Sequence, residues 1–503
     1  MSKTHTTNGA IALSSTGNCL VDFFVILTRN IEPETLLKYL PECWSIDPKM
    51  TMAIIFNARD RQNGKKEKNV SNRCMIWLKR NKFNTYDKNI LTYVNKYGSW
   101  KDINYIAIKN PLNNEYEIEL FSNQLKSDKE NLENNNNISL CAKWASSEHD
   151  KYDKNNQIAQ KIATHLLDND AKKMEKYRKK YIIPLRKKID TVESYMTSNK
   201  WNNINYDKVP SIAMKRYNNA FRKHDPDGYQ KYINSIISGD KKMKTTGILP
   251  YELVKYYLDG NEYNETIELQ WKAILDNVKE SGVLKNMLAI ADVSGSMYES
   301  NFGNIAPIYP CIALSILVAK CVDGKFSNKI ISFSESPIIY DLKGDNLFEQ
   351  VNNIRSKLPM GFSTNFEAVF DMLIDLASMF NIPSNEMPDK IICFTDMQYN
   401  NAIKSEFDKE NIDQDLNILH ETIIEKYNKT TYDPPTFIYW NLNGKSDGIF
   451  PVSTKTENVA IISGFSEQLL KVFMTSSVLN VENIMYELVA PYLLDVIIDE
   501  DDI

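Results

Sequence analysis

Through residues 1–280 the apolar positions recur three and four residues apart. The segments ETLLKYLPECW, NILTYVNKY, QIAQKIATHLLDNDAKKMEKYRKKYI and PYELVKYYLDG all carry this period and are separated by Pro, Gly and Asn, a pattern that predicts helices. In YIIPLRKKIDTVESYM, Pro184 falls near a helix start, where its missing N–H costs nothing. The polar, Asn-rich stretch KSDKENLENNNNIS, around residues 125–138, is expected to be an exposed loop. After residue 280 the pattern changes. KNMLAIADVSGSM, KIISFSESPIIYDL, KIICFTDMQY, PTFIYWNLN and NVAIISGFS hold short, β-rich apolar runs, and helical stretches lie between them (IAPIYPCIALSILVAKCV, NFEAVFDMLIDLASMF, DLNILHETIIEKYN, SEQLLKVFM). This alternation predicts a doubly wound parallel sheet covered on both faces. The expected division is therefore a helical region, 1–280, followed by an α/β domain, 283–503.

In such a sheet ligands sit at the carboxyl ends of the strands, so the residues that follow each strand are the candidates. Asp292, Ser294 and Ser296 follow MLAIA as D-x-S-x-S, with Gly295 expected to permit a sharp turn between them. GFSTNF supplies Thr364, and the strand IICF ends in Thr395 and Asp396. Asp292, Ser294, Ser296, Thr364 and Asp396 together offer hard oxygen donors with little charge, which suits Mg²⁺ or Mn²⁺. Turn and helix-cap chemistry is the competing reading of the same residues. Hydrolysis has little support. Position 294 carries no second carboxylate, none of His5, His149, His165, His224 and His420 lies in these loops, and the chain has no Walker motif or GxGxxG. His420 sits at helical spacing and is expected to be a packed or solvated helix residue. The expectation is a binding protein and not an enzyme.

Length and charge sharpen this picture. A chain of 503 residues with 43% hydrophobic content suggests two or three domains and excludes wholesale disorder. Seven cysteines without a CxxC pair and the non-secretory start MSKTHTTNGA point to reduced thiols in an intracellular, cytoplasmic setting. No apolar run reaches the ~18–20 residues of a membrane span. The net charge of −5 hides an asymmetry: residues 1–250 carry 42 Lys+Arg against 27 Asp+Glu, and residues 251–503 carry 18 against 38. Two basic stretches stand out, ARDRQNGKKEKNVSNRCMIWLKR and AKKMEKYRKKYIIPLRKKID. They supply Arg59, Arg61, Lys65, Lys66, Lys172, Lys173, Arg178, Lys179, Arg186 and Lys187 as candidate RNA contacts. The alternative is a set of solvated helix faces. Trp100, Trp144 and Trp201 could stack on bases, but in helical repeats such residues are more often core.

The order and context of Asp292, Ser294, Ser296, Thr364 and Asp396 resemble the metal-ion-dependent adhesion site of von Willebrand factor A domains, over residues 283–503. That resemblance implies a Rossmann-like fold in which Asp292, Ser294, Ser296 and Thr364 bind the ion directly and Asp396 reaches it through water. Arg59-Asp60 with Gly64 and Lys65, then Tyr97, Gly98, Trp100 and Asp102 in KYGSWKDI, and Lys143 and Trp144 in LCAKWASS, resemble the TROVE module of the Ro autoantigen. This is a ring of HEAT-like helical repeats followed by a von Willebrand A domain. Residues 125–210 do not follow Ro. Closer is an uncharacterised family with the same two-part layout, from plants, fungi and large DNA viruses, whose phrases recur as YRKKYIIPLRKKIDTVESYM, KWNNINYDKVPSIAMKRYNNAF, GFSTNFEAVFDM, IICFTDMQY and IISGFSEQLLK. It supplies no activity. If the source were such a virus, a virion location would also be expected. The Ro resemblance implies RNA on the basic helices. The adhesion-site resemblance implies a protein partner that offers an acidic residue to the metal. RNA binding is the leading expectation and partner capture through the metal the alternative, and the two can hold together on different halves of the chain.

Overall fold

The computed structural model describes residues 3–5, 11–29, 31–148, 153, 156–168, 170–282, 284–299, 305–333, 337–357, 366–398, 416–443, 450–475 and 479–503. The chain forms two compact units. One comprises Met1–Ala58, Gln62–Glu67 and Lys242–Leu494, and the other Arg59–Arg61, Lys68–Lys241 and Asp495–Ile503. These units cut the chain differently from the 1–280/283–503 division.

The first unit is built on a six-stranded sheet: β1 (Met287–Asp292), β2 (Lys329–Phe333), β3 (Ile338–Asp341), β4 (Lys390–Thr395), β5 (Thr436–Asn441) and β6 (Val459–Ser463), in the spatial order β6-β5-β4-β1-β2-β3. Neighbours are parallel except β3, which runs antiparallel to β2. The sheet is thus mixed, with an antiparallel edge that the alternating pattern did not predict. Every residue of β1 and β6 is buried, as strands covered on both faces require. The helix Ile308–Cys321 is apolar around most of its circumference and packs on β1.

The N-terminal residues complete this unit. The helix Cys19–Ile26, buried from Leu20 to Ile26, packs on β6 beside the helix Val481–Val489. Its sequence, CLVDFFVI, leaves no polar face for water, so it needs cover on all sides. Asn18 caps its first turn by accepting from the N–H groups of Leu20 and Val21. The helices Pro250–Leu258 and Glu265–Glu280 pack on Ile308–Cys321. The period-based reading placed these segments in the helical region because it sees each helix but not what covers it.

The second unit is helical among its described residues, with helices that include Lys68–Asn81, Phe83–Thr92, Trp100–Lys109, Glu115–Glu133, Ile158–Leu167, Ser211–His224 and Pro226–Ile237. Glu115–Glu133 corrects the expected loop at 125–138. Ile118, Phe121 and Leu125 are buried along one stripe, and Asp128 continues it by accepting from the backbone N–H (2.9 Å) and hydroxyl (2.6 Å) of Ser139. Apart from the buried Ser122, which donates to the Ile118 carbonyl, most polar residues between them turn to solvent, and only the Asn run after Glu133 lies beyond the helix. Pro184 lies in the first turn of Ile183–Ile189, as expected, directly after a wide π-turn at Tyr177–Ile182. The C-terminal residues close the unit. Asn89 donates to the carbonyl of Ile497, Asp502 accepts from the Thr85 N–H, and Asp495 and Asp499 pair with Lys96 and Lys88. No described helix is long and apolar enough to cross a membrane.

Charge follows the units more closely than the halves. The helical unit carries 34 Lys+Arg against 26 Asp+Glu, of which five acids belong to Asp495–Ile503, and the α/β unit carries 26 against 39.

Candidate metal centre

In the sheet order, β1 lies between β2 and β4, so the chain leaves β1 toward one side and later returns on the other. This is the topological switch point, where the loops after adjacent strands part and leave a crevice. The residues after β1 and β4 stand there together. Ala291 is paired with Phe394, which brings Asp292 beside Thr395, and the Thr395 hydroxyl donates to Asp292 Oδ2 at 2.7 Å. Asp292 Oδ1 accepts the Ser294 N–H at 3.0 Å, and the Ser294 and Ser296 hydroxyl oxygens lie 3.2 Å apart. The Asp396 carboxylate accepts the Gln398 N–H at 3.0 Å and follows directly on Thr395, the partner of Asp292.

Four of the five expected donors, Asp292, Ser294, Ser296 and Asp396, therefore converge. Thr364 lies outside the described residues. Gly295 differs from expectation. Its φ is not positive, and a Cβ there would meet nothing within 4 Å. The turn comes instead from the 3₁₀ segment Gly295–Tyr298, which opens after Ser294. Thr395 and Cys311 are the site neighbours that the expected donor set omitted. Thr395 was visible as the last strand residue. Cys311, whose thiol lies 3.4 Å from the carbonyls of both Asp292 and Phe394, left no signal in the spacing.

Electrostatically the site is short of positive charge. Asp292 and Asp396 are 0% and 1% exposed, and neither makes an ion pair among the described residues. Burial raises the Asp292 carboxyl. Burial and then the nearby Asp292 charge push Asp396 up to about 7. Two buried carboxylates and two hydroxyls facing one another suit a hard divalent cation, which would offset the desolvation that the anions otherwise bear. Among the described residues no group of three or more His, Cys, Asp or Glu side chains forms a metal-binding cluster. Hydroxyls, rather than further acids, would have to complete the coordination.

The domain of unknown function DUF2828 matches residues 6–118 and 115–284, more than half of the chain. The Acanthamoeba polyphaga mimivirus "Uncharacterized protein L728" is 32% identical over 97% of this chain and 88% of its own length. The chain belongs to the DUF2828 family. Residues 286–490 match a second domain of unknown function, DUF7788, so in this DUF2828 protein the metal candidates fall within the DUF7788 match. The crystal structure of Deinococcus radiodurans RO (RSR) protein aligns with 92% of this chain and 99% of its own, at 12% identity and a TM-score of 0.36. Likeness that loose transfers neither fold detail nor ligand.

The basic candidates in this DUF2828 chain divide sharply. Arg59 is buried in the helical unit, bonded to Asp102 Oδ2 from Nε (3.1 Å) and Nη2 (2.6 Å). Arg61 is half-buried, with a buried Nε that has no hydrogen-bond partner among the described residues. Lys65 is buried in the α/β unit, where its ammonium group bonds the Phe24 carbonyl and the Ser463 hydroxyl (2.7 Å) and sits 3.9 Å above the Phe24 ring. Burial pushes it down to about 7. Lys66 pairs with Glu467 at 2.8 Å. Arg186 spends its guanidinium on the Ala142 and Ala145 carbonyls and the Ser147 hydroxyl, each at 2.8 Å, and Lys179 pairs with Glu175. Arg59, Lys65, Lys66 and Arg186 thus hold the fold together.

Lys172, Lys173, Arg178 and Lys187 make no ion pair among the described residues. Arg178 and Lys187 line a cleft of about 700 Å³ with Met174, Tyr177, Ile182 and Ile183 and the acidic Glu148. Trp100 packs on Phe121 in the core, as expected. Trp144 is half-buried under Lys101 and Lys143, and Trp201 stacks on His224 at 4.4 Å. His420 is packed, its Nε2 2.9 Å from the Tyr439 hydroxyl.

Proposed function

We propose that the protein is a non-enzymatic binding protein whose α/β unit, with a von Willebrand A-type arrangement, holds Mg²⁺ or Mn²⁺ at Asp292, Ser294, Ser296 and Asp396. The single observation behind this reading is the uncompensated pair of buried carboxylates at the switch point of the sheet. Asp292 is held by Thr395 and the Ser294 N–H, the Ser296 hydroxyl lies beside that of Ser294, and Thr364 would complete the set by resemblance. Two carboxylates cancel the formal charge of a divalent cation, but neutral hydroxyls donate weakly to it, so an open coordination position still favours a hard anionic oxygen. An acidic side chain of a protein partner suits it.

The test is a panel of immobilised peptides with and without a central Asp or Glu. Capture should need Mg²⁺ or Mn²⁺ and the peptide carboxylate, and should vanish with EDTA or in Asp292→Ala. Capture that survives both changes would refute the reading.

RNA on the helical unit is a second reading, and one specific observation favours it. The basic excess of that unit includes Lys172, Lys173, Arg178 and Lys187, none of them ion-paired among the described residues, and Arg178 and Lys187 line an open cleft together with Arg186, Tyr177, Ile182 and Ile183 and a single acid, Glu148. Anisotropy with single-stranded and structured RNA in about 50 mM salt tests it. Replacing these four by Gln should weaken binding and flatten its salt dependence, whereas Asp292→Ala should leave it unchanged. No binding at low salt, or full binding by the fourfold variant, would refute it.

A further inference from the structure

We propose that Cys19 and Cys43 form a dithiol that closes reversibly to a disulfide, a modification site between two helices of the α/β unit. Their sulfurs lie 2.8 Å apart, well inside the ~3.5–4 Å of ordinary non-bonded contact. No other two of the seven thiols lie within hydrogen-bond reach of each other; all the rest are buried singly. Cys19 opens the helix Cys19–Ile26, and Cys43 lies near the end of Pro33–Ile46, against which that helix packs. The approach is therefore set by helix packing rather than by a flexible loop. The pair is also not half of a metal site, since no third Cys, His or carboxylate completes a cluster among the described residues.

The two sulfurs differ in access, which sets the order of events. Cys19 is partly exposed and Cys43 is sealed. The Cys43 thiol is turned toward Cys19, reaching both its sulfur and, at 3.2 Å, its carbonyl. The hydrogen bond to Cys19, then burial, then the charges of Cys19, Glu42 and Asp22 keep the proton on Cys43. Cys19 therefore meets the oxidant. With glutathione disulfide as oxidant, the Cys19 thiolate attacks one sulfur, expels one glutathione thiolate and forms a mixed disulfide. Cys43 then gives up its proton and attacks the Cys19 sulfur, expelling the second glutathione. Two protein thiols are oxidised and one glutathione disulfide is reduced to two thiols. The product ties the helix that covers β6 to the next helix along the chain.

The experiment treats the native full-length protein with glutathione disulfide, blocks remaining thiols by alkylation and maps peptides by mass spectrometry. The wild type should lose two hydrogens (about 2 Da) in a Cys19–Cys43 cross-link that dithiothreitol reverses. Cys43→Ser should instead retain one glutathione on Cys19, and Cys19→Ser should leave Cys43 unmodified. If both thiols of the folded wild type are recovered alkylated, or if glutathione stays on Cys19 although Cys43 is present, the proposal is wrong.

Discussion

Lys65→Met isolates a buried amine that a surface reading would have spent on RNA. Lys65 is 1% exposed and among the described residues bonds the Phe24 carbonyl and the Ser463 hydroxyl against the Phe24 ring, without an ion pair, and the charge of Glu67 acts on it only from a distance. In the unfolded chain the amine keeps its proton to about 10.5, but in the folded protein only to about 7. Between those values unfolding takes up a proton, so the cost of burying the charge is fully present below pH 7 and fades as pH rises toward 10.5. The slope is at most ~1.4 kcal/mol per pH unit, and rounding near the lower limit leaves about 2 kcal/mol between pH 7 and pH 9.

Met keeps the length and loses the charge. It also forfeits the bonds of the amine, leaving the Phe24 carbonyl a longer contact from Ser463 Oγ at 3.5 Å. That cost is ~1–2 kcal/mol and does not change with pH. The assay is urea unfolding of both proteins at these two pH values, read by hydrogen-exchange protection of β6 peptides. The stability of the wild type minus that of the variant should grow by about 2 kcal/mol from pH 7 to pH 9. A difference constant to within ~0.5 kcal/mol would refute the reasoning.

Other expectations follow from single contacts. At about pH 8.5, where the metal-free Asp396 is ionised, Asp396→Asn in EDTA should raise the melting temperature of the α/β unit by relieving ~1–3 kcal/mol of uncompensated charge burial, whereas in saturating Mg²⁺ the wild type should be the more stable; equal melting in both buffers would contradict this. A Cβ on Gly98 would lie 2.6 Å from Asp102 Oδ2, 3.0 Å from the Tyr93 carbonyl and 3.3 Å from Arg59 Nε. Gly98→Ala should therefore open the Arg59–Asp102 pair and destabilise the helical unit by ~3–5 kcal/mol in thermal unfolding, and a loss under ~1 kcal/mol would count against that pair as a structural element. Gly295→Ala, by contrast, should change neither stability nor cation affinity. Burial lowers His420 to about 4, so its contribution to stability is present above pH 6.5 and is lost as pH falls through 4. Acid unfolding of His420→Phe should lack that component, and superimposable acid curves would show that the imidazole does not titrate as placed.

The strands and the residues after them were legible because both signals are local. A continuous apolar run marks a doubly covered strand, and the i, i+2, i+4 spacing after β1 marks a turn with its side chains on one side. Asp292, Ser294, Ser296 and Asp396 could be picked out for that reason. What was not legible depends on partners far along the chain. Arg59 reads as a solvent-facing cation until Asp102 is packed against it, and Lys65 until Ser463 is. The helix Glu115–Glu133 was hidden because Asp128, satisfied by Ser139, takes a core position where a period count expects an apolar side chain. The helix Cys19–Ile26 left no amphipathic period to mark it, and only its packing on β6, the end strand of the sheet, explains why it belongs with the sheet.

The most direct test of the central claim is calorimetric titration of Mg²⁺ and Mn²⁺ into the metal-stripped protein and its Asp292→Ala variant. The wild type should show one saturable site per chain and the variant none. A wild type that binds no divalent cation, or a variant that binds as the wild type does, would contradict the reading of Asp292 and Asp396 as a cation site.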